Sequence, residues 1–130
     1  MQRFISILFL GLLSVSIHAQ QYKKHVVTKD RLSVDLSEGT LSIIPLTDKS
    51  VRIKYEIENL SEAQEFVFIN KPNAPSFTLK ESATSLKLST KSMTVAFDKK
   101  TGVIQYSDKS GKVFLGEKAN SRLMKPSTIM

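Results

Sequence analysis

This 130-residue chain contains no cysteine and no tryptophan. Without cysteine there can be no disulfide, no thiolate metal site and no lipid attachment through a lipobox cysteine. Without tryptophan the broad aromatic platforms on which free-standing sugar-binding modules stack pyranose rings are missing, and only Tyr22, Tyr55 and Tyr106 remain for such a role. Histidine is limited to His18 and His25. The five glycines form no phosphate-cradling loop, and no serine sits in a G-x-S-x-G elbow. Arginine is confined to Arg3, Arg31, Arg52 and Arg122, so the net charge of +7 and the pI near 9.7 come mainly from lysine. Phosphate and base recognition favours the guanidinium fork, and single-stranded nucleic acid wants aromatics interleaved with cations. Neither pattern is present. The lysines read as a solvated surface, and nucleic acid is not an expected partner.

What is present bounds the chain to one domain, with 41% hydrophobic and 24% charged residues, ordinary values for a globular protein. The strongest local signal is at the start. Met1-Gln2-Arg3 makes a short positive region, residues 4–17 (FISILFLGLLSVSI) an uncharged apolar run, and His18-Ala19-Gln20 follows. The run is shorter than the roughly 20 residues a membrane-spanning helix needs, but it fits a secretory signal peptide. Cleavage is expected between Ala19 and Gln20, giving residues 1–19 as leader and 20–130 as an exported domain with no stable membrane anchor.

From Tyr22 onward the hydrophobic period is two, the signature of strands. Leu32, Val34 and Leu36 alternate with polar residues, and a turn is expected at Glu38-Gly39-Thr40. Leu41 and Ile43 resume up to Pro45, and Thr47 to Ser50 turns into Val51, Ile53 and Tyr55. Glu58 to Gln64 reads as loop, Glu65 to Ile69 as a buried strand, and Lys71 to Ser76 as a proline-stiffened connector. Short strands follow at Phe77 and Leu79, at Leu86 and Leu88, and at Met93, Val95 and Phe97. Asp98 to Gly102 reads as a hairpin loop in which Gly102 takes a positive φ. Val103 to Ser107 returns, Ser107 to Gly111 turns similarly, and Lys112 to Leu115 follows. The reading is an all-β chain, an antiparallel β-sandwich or barrel.

Candidate chemistry is sparse. His25, between Lys24 and Val26, reads as a surface strand residue, and no metal or other cofactor is implied. Glycoside hydrolysis needs two carboxyls facing across about 5–10 Å. The neighbouring pairs Glu56 with Glu58 and Glu62 with Glu65 read as solvated faces. Asn59-Leu60-Ser61 matches a glycosylation sequon, a short pattern that arises by chance.

Two stretches resemble the N-terminal domain of glycoside hydrolase family 31, the α-glucosidases and α-xylosidases. Residues 38–55 (EGTLSIIPLTDKSVRIKY) are similar to its opening, a strand, an I-x-P-L-x-D turn and a V-R-V-x-F/Y strand. Residues 94–117 (TVAFDKKTGVIQYSDKSGKVFLGE) resemble its later hairpin pair, with the spacing D-x-x-T-G-x-(I/L)-x-(F/Y)-x-D-x-x-G. The resemblance implies a galactose-mutarotase-like sandwich that packs beside a catalytic (β/α)₈ barrel, with carbohydrate and that barrel as partners. It also implies that the sandwich is incomplete here, because further strands follow the hairpins in the family. The family's nucleophile motif W-x-D-M-N-E does not occur in these residues, so no catalytic residue is assigned and no sugar-contacting residue is named. An independent exported binding or adhesion module is the other reading. With strands missing, apolar positions such as Val51, Ile53, Phe66, Phe68, Val95, Phe97 and Val103 call for partners, and an open edge is expected.

Overall fold

A computed structural model describes residues 20–57 and 73–122. Residues 1–19 with the expected leader, the segment 58–72 with its expected strand at 65–69, and residues 123–130 lie outside the described residues. Among the described residues there are nine strands: β1 (Tyr22–Val27), β2 (Leu32–Leu36), β3 (Gly39–Thr47), β4 (Ser50–Glu56), β5 (Thr78–Glu81), β6 (Ser85–Ser89), β7 (Met93–Asp98), β8 (Ile104–Asp108) and β9 (Val113–Gly116). They form two antiparallel meanders, one ordered β1-β2-β3-β4 and one β5-β6-β7-β8-β9. The chain is an all-β, antiparallel β-sandwich, as its period-two patterning predicts.

The alternating apolar residues build the interior. Leu32, Val34 and Leu36 of β2 and Leu41 and Ile43 of β3 are buried from one sheet; Leu86, Leu88, Met93, Val95, Phe97 and Ile104 are buried from the other. Cross-strand pairing keeps each set on one face: Leu32 opposes Ile43, Val34 opposes Leu41, Leu86 opposes Phe97 and Leu88 opposes Val95. Val95 and Phe97 thus find partners within the described residues, while Val51, Ile53, Tyr55 and Tyr106 pack half-buried around the core. The sheets also touch at their ends, where the Thr90 hydroxyl donates to the Asp48 carbonyl at 2.7 Å.

Three local readings change. The strand that was expected to stop at Pro45 runs on to Thr47, and Pro45 pairs with Val51. Proline is tolerated because β2 pairs with β3 only as far as Ile43, so no neighbour on that side needs an N–H from residue 45. The turn expected at 38–40 is a tighter one through Ser37 and Glu38, since Leu36 already pairs with Gly39. Lastly, β1 carries a bulge between Tyr22 and Lys24. The extra residue shifts the alternation, so Tyr22 (opposite Leu36) and His25 (opposite Val34) both turn toward the interior. His25 is therefore not the surface residue its lysine neighbours suggest.

The two glycine turns follow the expected chemistry. Gly102 has φ 70° and Gly111 φ 88°, in the left-handed region that glycine enters without a Cβ penalty. Ahead of each, an aspartate holds the loop. Asp98 Oδ1 accepts the N–H of Lys100 at 2.8 Å and of Thr101 at 2.7 Å. Asp108 Oδ1 accepts from the Ser110 hydroxyl at 2.6 Å and from the N–H groups of Ser110 and Lys112. The Thr101 N–H holds the Asp98 carboxyl below the ordinary value of 3.8, and the Ser110 hydroxyl does the same for Asp108. A carboxyl depressed in the folded state binds its proton less readily there than in the unfolded chain. Its stabilisation is therefore full above the ordinary value and is lost as pH falls through the depressed one. The variant Asp98→Ala is expected to melt lower at neutral pH and to lose less stability than the parent between about pH 5 and about pH 2. Thermal melts across that range check it; a parallel pH dependence in both proteins would refute the role.

Candidate functional site

Three places bring functional groups together. The first is the seam between the edge strands β1 and β5. Tyr22 Oη and His25 Nδ1 share a hydrogen bond of 2.8 Å, and His25 Nε2 lies 3.8 Å from the Glu81 carboxylate across the seam. Lys99, in the loop after β7, donates to Glu81 at 2.6 Å and to the Ser82 carbonyl at 2.9 Å, with its ammonium 4.9 Å from the Tyr22 ring centre. The Lys99 hydrogen bond holds the Glu81 carboxyl below its usual range, assisted by the charges of Lys99 and His25. Tyr22 in turn packs against Phe97, ring centres 6.4 Å apart. This arrangement clasps the two sheets. Its one carboxylate is occupied by a lysine, and hydrolysis of a glycoside requires a second carboxyl facing the first.

The second place is where the first and last described residues meet. The Gln20 side-chain amide donates to Tyr55 Oη at 2.8 Å, and Tyr55 Oη donates to the Glu38 carbonyl at 2.8 Å. Arg122 donates through Nε to Glu117 at 3.1 Å and through a second nitrogen to the Gly102 carbonyl. Glu117 also accepts the Ile104 N–H at 3.0 Å. Burial pushes the Tyr55 and Tyr106 phenols up, so neither is a ready base at neutral pH. The depression lined by Gln20, Gly102, Glu117, Asn120 and Arg122 opens to solvent and offers a cavity of only about 10 Å³, far below the ~300–1,000 Å³ of most ligand pockets. Gln20, on the far side of the expected cleavage point, is thus built into the fold with its side chain buried; Ala19 is outside the described residues.

The third place is β9, the last strand of its sheet. Val113, Phe114 and Leu115 are 53%, 60% and 57% exposed. A register shift between Tyr106 and Ser107 puts Leu115 opposite Tyr106 and Val113 opposite Ser107. Tyr106 opposes the buried Val95, so Leu115 lies on the core-facing side of the sheet and is nevertheless uncovered.

Of the acidic candidates, Glu56 is half-buried and paired with Lys54 at 2.7 Å; Glu58, Glu62 and Glu65 are outside the described residues, as is the sequon at 59–61. Among the described residues no group of three histidines or carboxylates could hold a metal ion, and no helix is long and apolar enough to cross a membrane. The seam cluster was not legible in the sequence. Its members come from β1, β5 and the β7–β8 loop, and only the bulge turns two of them inward. No family model and no curated protein matches the chain.

Proposed function

We propose that this chain is the non-catalytic N-terminal β-sandwich, of galactose-mutarotase-like type, of an exported glycoside hydrolase of family 31. Its role is to support the catalytic barrel and contribute to carbohydrate contact beside it. The observation that carries the reading is how the resembling stretches fold. The spacing D-x-x-T-G-x-I-x-Y-x-D-x-x-G forms two consecutive hairpins, β7–β8 and β8–β9, with Asp98, Gly102, Asp108 and Gly111 each serving its turn. The other stretch, residues 38–55, forms the β3–β4 hairpin of the opposite sheet. The aspartates and glycines of the hairpin motif each have a conformational reason to be where they are, as expected of a scaffold.

Two measurements test the proposal. The secreted chain should lack its first 19 residues by intact mass and should turn over aryl α-glucosides and α-xylosides no faster than buffer. Added to a family 31 barrel deprived of its own N-terminal sandwich, it should raise that barrel's soluble yield and activity. A barrel indifferent to the chain would overturn the reading, as would turnover by the chain alone that Glu56→Gln abolishes.

A further inference from the structure

We infer that β9 is a docking edge for an extended segment of another polypeptide, apolar in its middle and acidic at its ends, which adds to the sheet as a sixth strand. The inference concerns an interaction surface and does not depend on the family reading. Its first ground is the contrast among the four edge strands. A free edge presents unpaired N–H and C=O groups, and proteins blunt such edges with charge, bulges and inward lysines. Three edges here carry charge within the strand: Lys23 and Lys24 on β1, Arg52 and Lys54 on β4, Lys80 and Glu81 on β5. β9 carries none, and its three large apolar side chains are all more than half exposed. Its bulge leaves Phe114 as the extra residue between Val113 and Leu115, so both faces of the strand offer apolar surface to an incoming neighbour.

The second ground is charge. Lys109 and Lys112 precede the strand and Lys118 follows it, all three exposed and without an ion pair among the described residues. The acids nearby are spent internally: Asp108 on the N–H groups of its own turn, Glu117 on Ile104 and Arg122. The available charge at both ends of β9 is therefore positive. That disfavours a second copy of this chain, whose own β9 would bring the same lysines alongside, and it favours a strand flanked by aspartate or glutamate. Backbone pairing gives such a complex its affinity, and the side-chain contacts its selectivity.

The experiment titrates the chain, as purified, with two fluorescently end-labelled peptides of one apolar core, DEVTVTVED and KKVTVTVKK. The acidic peptide should bind at least about ten-fold more tightly than the basic one, and the difference should shrink with added salt. Phe114→Lys should abolish binding of the acidic peptide. The double variant Lys112→Glu and Lys118→Glu, at exposed unpaired positions that leave the fold intact, should reverse the preference. Equal binding of both peptides, binding of neither, or a preference that the charge reversal leaves unchanged would each overturn the proposal. So would a concentration-dependent dimer that Phe114→Lys disperses, because a second copy would then be the occupant of the edge.

Discussion

Replacing Phe97 with alanine is expected to cost about 3–5 kcal/mol of stability, the range for truncating a fully buried aromatic. Phe97 has no exposed surface and is the penultimate residue of β7, opposite Leu86 on one side and Ile104 on the other. From the facing sheet the Tyr22 ring lies against it, so the cavity left by truncation would be walled by both sheets and could not collapse without moving strands. A small domain has only about 5–15 kcal/mol in total, so the variant should melt roughly 15 °C or more below the parent. Phe97→Leu keeps most of the volume and should lose about 1.5 kcal/mol or less. Thermal melting of the three proteins, followed by circular dichroism, checks the order. If the alanine variant melts with the leucine variant, Phe97 does not hold the two sheets together as described.

A methyl group at Gly39 should be nearly as damaging, for a reason of geometry. Gly39 has φ 144°, and a Cβ built on it would stand 2.3 Å from the Glu56 carbonyl oxygen and 3.1 Å from its carbon. The obstacle is backbone, from the neighbouring strand β4, and cannot rotate away. Gly39→Ala is therefore expected to cost about 2–4 kcal/mol, by forcing β3 and β4 apart at their first pair or straining the φ of residue 39. Gly111 is the internal control. It too has a left-handed φ of 88°, but nothing lies within 4 Å of a Cβ there. Gly111→Ala then costs only the strain of a Cβ at positive φ, about 1–2 kcal/mol. Urea denaturation midpoints of both variants measure the difference, and equal losses would show that the close approach to Glu56 is not what demands glycine at 39.

The expectation of an open edge and an uncovered apolar face locates differently in the folded chain than in the sequence. Val95 and Phe97 are buried, Val51 and Ile53 are packed against the core, and Phe66 and Phe68 lie outside the described residues. Among the described residues the longest exposed apolar run is instead Val113, Phe114 and Leu115, with Val26 and Val27 of β1 and Ile57 also exposed; in the sequence the run at 113–115 reads like any other strand.

The sequence by itself determined what depends on neighbours along the chain. Period-two alternation at Leu32, Val34 and Leu36, or at Met93, Val95 and Phe97, commits a segment to one buried and one open face, because strand side chains alternate whatever lies opposite. Asp98 with Gly102 and Asp108 with Gly111 specify their turns through an acceptor for the loop N–H groups and a residue free to take positive φ. The tertiary structure decided everything that depends on a second strand or sheet. Whether Pro45 ends a strand depends on how far β2 runs beside it, and whether Gly39 can be replaced depends on how near β4 passes. The inward turn of His25 follows from a bulge defined only by pairing with β2. The bareness of Leu115 follows from the opposite sheet leaving it uncovered. Alternation says that a side chain faces inward; only the packed fold says whether anything is there to meet it.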